Sequence, residues 1–295
     1  MLDVLPQILV SGILIGGVYA LLSVGLTLIF GVLRIVNFAQ GEFVMLAMFG
    51  SFWFYHLFGI DPYLSVLIVA PVIFGLGILC QVLVIDVIFL SSHAAQIFAT
   101  FGLSVIFQNL ALTLWGPNYQ SVNTSYSSKA FFIGNISISV TSFTACATAV
   151  FMSMVLLAYL KYTMNGKALR AMVQNRYAAS LMGINTHKLN MLAFGVGVGC
   201  AAVAGCVLTP MYYTFPTVGV DLIIIAFVVV VLGGMGNITG ALLGGFIIGV
   251  TQTLTGFFIS VEYKDVFALI LFILILLIRP QGLMGQAGTE MVGMK

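Results

Sequence analysis

Apolar residues fill this chain in long runs separated by brief polar stretches. A helix needs about 20 residues to cross the hydrocarbon core of a bilayer. Runs of that kind lie near 6–31, 41–58, 62–90, 95–115, 138–160, 189–210, 221–235, 238–258 and 264–279. The run 62–90 is long enough to tilt, whereas 221–235 and 264–279 are short. Barrel strands would alternate apolar and polar residues, but Val266–Ile278 is continuously apolar. The pattern therefore predicts an all-α polytopic bundle of about eight to nine membrane segments, forming one transmembrane domain over residues 1–295.

Two interruptions stand out against this background. Ile29–Met45 breaks an apolar run with Arg34, Asn37, Gln40, Gly41 and Glu42, and Gly233–Gly240 (GGMGNITG) breaks a later one. Hydrocarbon offers no partner for loose backbone groups or stray charge. Each break is thus either a turn at the membrane surface or an unwound stretch lining a polar cavity. Paired glycine-broken segments are a sequence pointer to a transport path. Asn37, Gln40, Gly41 and Glu42, with Gly233, Gly234, Gly236 and Asn237, are the candidates for lining it. Arg34 reads as an anchor whose stem lies along apolar surface and whose head reaches water.

Composition strengthens the membrane reading, since 61% of residues are hydrophobic and only 6% charged, against about a quarter charged in soluble domains. The net charge of +2 implies no nucleic-acid partner. Five of the ten Lys and Arg residues fall in the loop 161–188, which carries no Asp or Glu. By the positive-inside rule that loop is cytoplasmic, with the N-terminus outside and the C-terminus inside. Gly116–Ser137 then becomes the largest outside loop. The N-terminus shows no basic region and no cleavage site, so the first span is expected to act as an uncleaved anchor.

GxxxG spacing at Gly12/Gly16, Gly195/Gly199, Gly240/Gly244 and Gly245/Gly249 predicts close helix contacts, because packing through small residues supplies the association that lipid does not. Cys80, Cys146, Cys200 and Cys206 lie in apolar runs without paired spacing and read as small buried hydrophobes. His56, His93 and His187 are scattered, with no metal-ligand spacing. No GxxxxGK[ST] loop exists to cradle nucleotide phosphates. Glu42 and Asp86 are the acids nearest a mid-membrane position, too few for an ion-coupling relay. Energy for transport is expected from another polypeptide.

Within the basic loop, Asn165–Asn190 reads as one or two short amphipathic helices ending at Gly183. Such helices could lie on anionic lipid or seat in a groove of a cytoplasmic partner. Tyr177-Ala178-Ala179-Ser180-Leu181-Met182-Gly183 resembles the Glu-Ala-Ala-x-x-x-Gly coupling loop of ABC importer permeases, with Tyr177 where that pattern has an acid. Gly25–Phe49, Ala168–Asn185, Val230–Gly249 and Ile275–Gly285 resemble, in order and spacing, the branched-chain amino acid ABC permease family, LivH-like subunit.

The resemblance implies a non-enzymatic permease of the bacterial inner membrane that moves branched-chain or other apolar amino acids by alternating access. It implies a homologous second permease subunit, two cytoplasmic ATPases holding ATP and Mg, and a periplasmic or extracellular binding protein. It also implies that Arg170, Arg176, Tyr177, Ala178, Ala179 and Gly183 couple to the ATPases. Related permeases handle urea and short amides, and an ion-coupled carrier or a passive channel is the reading from another class.

Overall fold

The computed structural model describes residues 4–133 and 136–285. Helix α1 spans Leu5–Leu33, α2 Gln40–Phe58, α3 Pro62–Cys80 and α5 His93–Trp115. Between α3 and α5, one turn of π-helix at Gln81–Ile85 leads into a short α4, Asp86–Ile88. Then follow α6 Val140–Tyr162, α7 Met164–Gln174, α8 Arg176–Leu181, α9 Thr186–Leu208, α10 Val218–Gly233, α11 Ile238–Phe258 and α12 Lys264–Ile278. Six of these helical stretches are long and apolar enough to cross a membrane, and α10 is a shorter apolar helix.

The all-α expectation needs one correction. Residues 130–139, expected as outside loop running into a helix, contain two antiparallel strands, β1 Ala130–Ile133 and β2 Ile136–Ser139. Gln7 at the start of α1 holds β2, donating from Nε2 to Ser137 O at 2.8 Å and accepting from Ser137 N at 2.6 Å. The hairpin thus lies beside the N-terminal end of α1.

Four of the nine long helices begin with a polar side chain that satisfies a loose N–H group. Asp61 accepts from Tyr63 N, Ser92 from Ala95 N, Asn185 from Lys188 N and Asn237 from Gly240 N. Helices α1, α2, α6, α10 and α12 have no such side-chain cap.

Burial sorts the helices into a centre and a rim. Of the most apolar window of α1, 83% is buried, against 22% for α6. The centre is α1 with α2, α9, α10 and α11, while α3, α5 and α6 turn large side chains such as Leu67, Phe98 and Phe151 outward. The GxxxG signals account for the tightest crossing. A Cβ on Gly12 would come 2.8 Å from Val250 Cα, and one on Gly16 would come 2.7 Å from Phe246 Cα. Dispersion contacts between backbones at that range replace the hydrophobic gain that lipid withholds.

Candidate functional site

The first break is enclosed by the bundle. Helix α1 ends at Leu33, Arg34 turns outward with a left-handed φ of 57°, and residues 35–39 run back into the protein. Asn37 and Gln40 are fully buried. Buried irregular backbone persists only if its polar groups find partners. Here Asn37 Oδ1 accepts from Ala39 N at 3.1 Å, and Thr100 Oγ1 on α5 donates to Val36 O at 3.1 Å.

Gln40 fixes the depth of this segment. Its Nε2 donates to Gly197 O at 3.0 Å, and Gly197 stands eleven residues from either end of α9. Eleven residues of helix rise about 17 Å. Helix α2 therefore begins midway along a helix long enough to span a bilayer. Gly25, eight residues before the end of α1, meets both Gly197 and Gln40. The chain passes this level on the way down α1 and returns to it to start α2.

A second helix starts at the same level from the opposite direction. Helix α9 ends beside α2, where Cys206 Sγ contacts Ala47 O. Residues 209–217 then turn back into the bundle, with Thr209 and Thr214 buried. Helix α10 opens at Val218 against the first turn of α2. A Cβ on Gly219 would come 2.7 Å from Gly41 C and 2.8 Å from Glu42 Oε2. A Cβ on Gly41 would collide with the Gly219 carbonyl oxygen. Two glycines at this crossing are a steric requirement.

Glu42 occupies the junction of these two helix starts and is 1% exposed. Its Oε1 accepts from Gln108 Nε2 at 2.8 Å and from Ser104 Oγ at 3.1 Å, both on α5. Its Oε2 has no hydrogen-bond partner among the described residues. Each helix N-terminus carries a partial positive charge of about half an elementary charge, so a carboxylate is tolerated where open hydrocarbon would reject it. Phe43, Phe107 and Ile223 supply the surrounding apolar wall. Ser104, Gln108 and Gly219 come from distant parts of the chain, and sequence spacing did not connect them to Glu42.

Gly233, Gly234, Gly236 and Asn237 lie elsewhere. They form the turn between α10 and α11, at the end of the bundle where α1 finishes, because Gly236 packs against Gly31. Asn237 Oδ1 caps α11 through Gly240 N at 3.0 Å, and its Nδ2 donates to Met284 O at 2.8 Å. Met284 N in turn donates to Gly233 O at 3.0 Å. Gly236 is exposed, and this turn does not meet the Glu42 junction.

The basic loop folds as two short helices, α7 and α8. Gly183 adopts a φ of 80°, with its N–H to Ser180 O at 3.1 Å and that of Ile184 to Ala179 O at 3.2 Å. This is a Schellman ending, which favours glycine at the left-handed position. Ala179 faces inward while Tyr177, Leu181 and Met182 are 75%, 70% and 83% exposed. Arg170 and Ala178 are exposed, and Arg170 Nη2 contacts Lys161 O at 3.4 Å. Arg176 stacks over Phe89, its guanidinium carbon 4.2 Å from the ring centroid. Burial lowers its pKa, and nearby Asp86 opposes that shift. His187 Nδ1 stands 3.2 Å from Asp86 Oδ2, while Gln81 Nε2 donates to Asp86 Oδ1 at 2.9 Å. Asp86, weighed from sequence as a coupling acid, is thus engaged by the loop itself.

A separate cavity of about 220 Å³ opens between α10, α11 and α12. Asp221, Asp265 and Gln252 are its polar lining; Gln252 donates to Asp265 and accepts from Tyr19. Among the described residues no cluster of His, Cys, Asp and Glu could hold a metal ion.

Helix starts near the middle of the membrane are a recurring feature of transporter binding sites. The family described as branched-chain amino acid transport system / permease component matches residues 8–276. The chain belongs to this family. The permease is 32% identical over 302 residues to the high-affinity branched-chain amino acid transport system permease protein LivH of Salmonella typhimurium, covering 97% of each chain. It is 28% identical to the permease protein BraD of Pseudomonas aeruginosa, again with 97% of each covered. The probable branched-chain amino acid transport permease protein LivH of Methanocaldococcus jannaschii is 31% identical, over 95% of this chain and 92% of that one. No solved structure matches.

Proposed function

We propose that this chain is the membrane-embedded permease subunit of an ATP-driven importer for branched-chain amino acids. Helices α1, α2, α3 with α4, α5, α6, α9, α10, α11 and α12 would make nine passes. The N-terminus and the hairpin would face outside, and α7, α8 and residues 279–285 would face the cytoplasm. This orientation is supported by Arg34, Lys161, Lys167, Arg170, Arg176, Lys188 and Arg279, which all border the end that carries α7 and α8.

The reading rests on the loop helix α8. Six residues are too few to be stable alone, yet this helix is capped at both ends and turns Tyr177, Leu181 and Met182 outward. Exposed apolar side chains on a braced short helix suit the groove of a cytoplasmic partner better than water. In this reading two ATPase subunits bind ATP and Mg, close together and push on α8. The push passes through Arg176–Phe89 and His187–Asp86 to α4 and the π-turn, and α3 and α5 move against the centre. A homologous second permease subunit and a soluble binding protein outside complete the assembly.

Gly183→Pro tests this directly. The variant is expected to insert and accumulate normally while leucine uptake and substrate-stimulated ATP hydrolysis are both lost. Charge reversal at Arg176 is expected to act in the same way. Normal uptake by both variants, or purification of the chain with no ATPase bound, would reject the reading.

A further inference from the structure

The junction of α2 and α10 holds a buried carboxylate with one oxygen engaged and one unengaged. We propose that Glu42 Oε2, with the uncapped start of α10, forms an occluded subsite for the ammonium and carboxylate groups of a free α-amino acid. This deepens the proposed permease function and rests on it.

Three observations carry the assignment. Oε1 is held by Ser104 and Gln108, so the carboxylate is oriented while Oε2 points at Gly219 and finds no partner among the described residues. An ammonium brings three donors and no acceptor, which suits an unengaged carboxylate oxygen in a dry setting. The start of α10 has no side-chain cap, and the one acid of its first turn, Asp221, lines the separate cavity between α10, α11 and α12; such a helix end attracts an anion. A zwitterion supplies both charges without changing the net charge of the junction, and Phe43, Phe107 and Ile223 offer an apolar neighbour for its side chain. A metal ion fits less well, since no further acid, His or Cys joins Glu42 to make a metal cluster among the described residues.

In this conformation the subsite is closed. The backbones of Gly41 and Gly219 touch, and no room remains for a ligand between them. Displacing α10 from α2 at that crossing would uncover Oε2 and the α10 start together. Opening and binding would then be one event.

The test uses the complete transporter in proteoliposomes supplied with ATP and radiolabelled L-leucine. Glu42→Gln can still accept from Ser104 and Gln108 but carries no charge. Its initial uptake rate is expected to fall by about thirtyfold or more, with partial recovery in Glu42→Asp. Uptake by Glu42→Gln at the rate of the unaltered transporter would overturn the assignment. A second measurement does not depend on leucine uptake. With the four native cysteines replaced, Ser104→Cys is expected to react with a cationic methanethiosulfonate more than about tenfold faster than with an anionic one during ATP turnover. That preference should vanish when Glu42→Gln is added. Equal reaction of the two reagents with Glu42 present would reject the subsite. Absence of leucine uptake by the unaltered transporter would instead reject the functional reading, leaving the reagent ratio to judge the charge of the junction.

Discussion

Residues 34–39 and 234–237 each join two helices through a short polar stretch, yet only the first is enclosed by protein. Around the first, Thr100 and Asn37 take up hydrogen bonds of the irregular backbone, and Gly197 O at the middle of α9 accepts from the Gln40 side chain. Around the second, Asn237 caps the next helix and ties down Met284, as a turn at a bundle end does. The two breaks thus differ in what surrounds them, and the segment that meets the first is residues 209–217, which bring Gly219 to Gly41.

Substitutions at the two breaks should separate them sharply. Gly219→Leu places a branched side chain where even a Cβ would lie 2.7 Å from Gly41. Overpacking of this kind costs about 3 kcal/mol or more, and detergent-solubilised protein should show a large fall in thermal midpoint and no transport. Gln40→Ala removes the bond to Gly197 and the acceptor for Asn37 Nδ2. Interhelical hydrogen bonds in membranes are modest, so a loss of about 1–2 kcal/mol is expected, again read by thermal unfolding, with uptake impaired. Asn237→Ala should be mildest, costing about 1 kcal/mol as a lost cap, with leucine uptake kept near that of the unaltered transporter. If Asn237→Ala abolished uptake while Gln40→Ala did not, the ranking of the two breaks would be reversed.

Much of the bundle was legible because burial in lipid leaves a strong mark on composition. The runs read at 41–58, 62–90 and 238–258 coincide with α2, α3 to α4 and α11 within a few residues. Gly183 was legible as a helix stop, since a Schellman ending favours a residue without a side chain. The depth of Asn37 and Gln40 was not legible, because it is set by Gly197 some 157 positions away. Ser104 and Gln108 read as ordinary polar residues of an apolar run until α5 lies beside α2. The hairpin at 130–139 was passed over because its strands are short and flanked by Ser and Asn. Residues 211–217 fall between the runs read at 189–210 and 221–235, and nothing in their sequence shows that they turn back toward Gly41.

The most direct test of this account compares two single cysteines, Ala39→Cys and Met235→Cys, in a background without native cysteines. Each is exposed to a membrane-impermeant maleimide from each face of sealed vesicles. Met235→Cys should be labelled within minutes from the face bearing the basic loop, and Ala39→Cys from neither face in the resting transporter. Equal labelling of Ala39→Cys and Met235→Cys from the same face would make the first break a surface turn and remove the buried junction on which the proposed path depends.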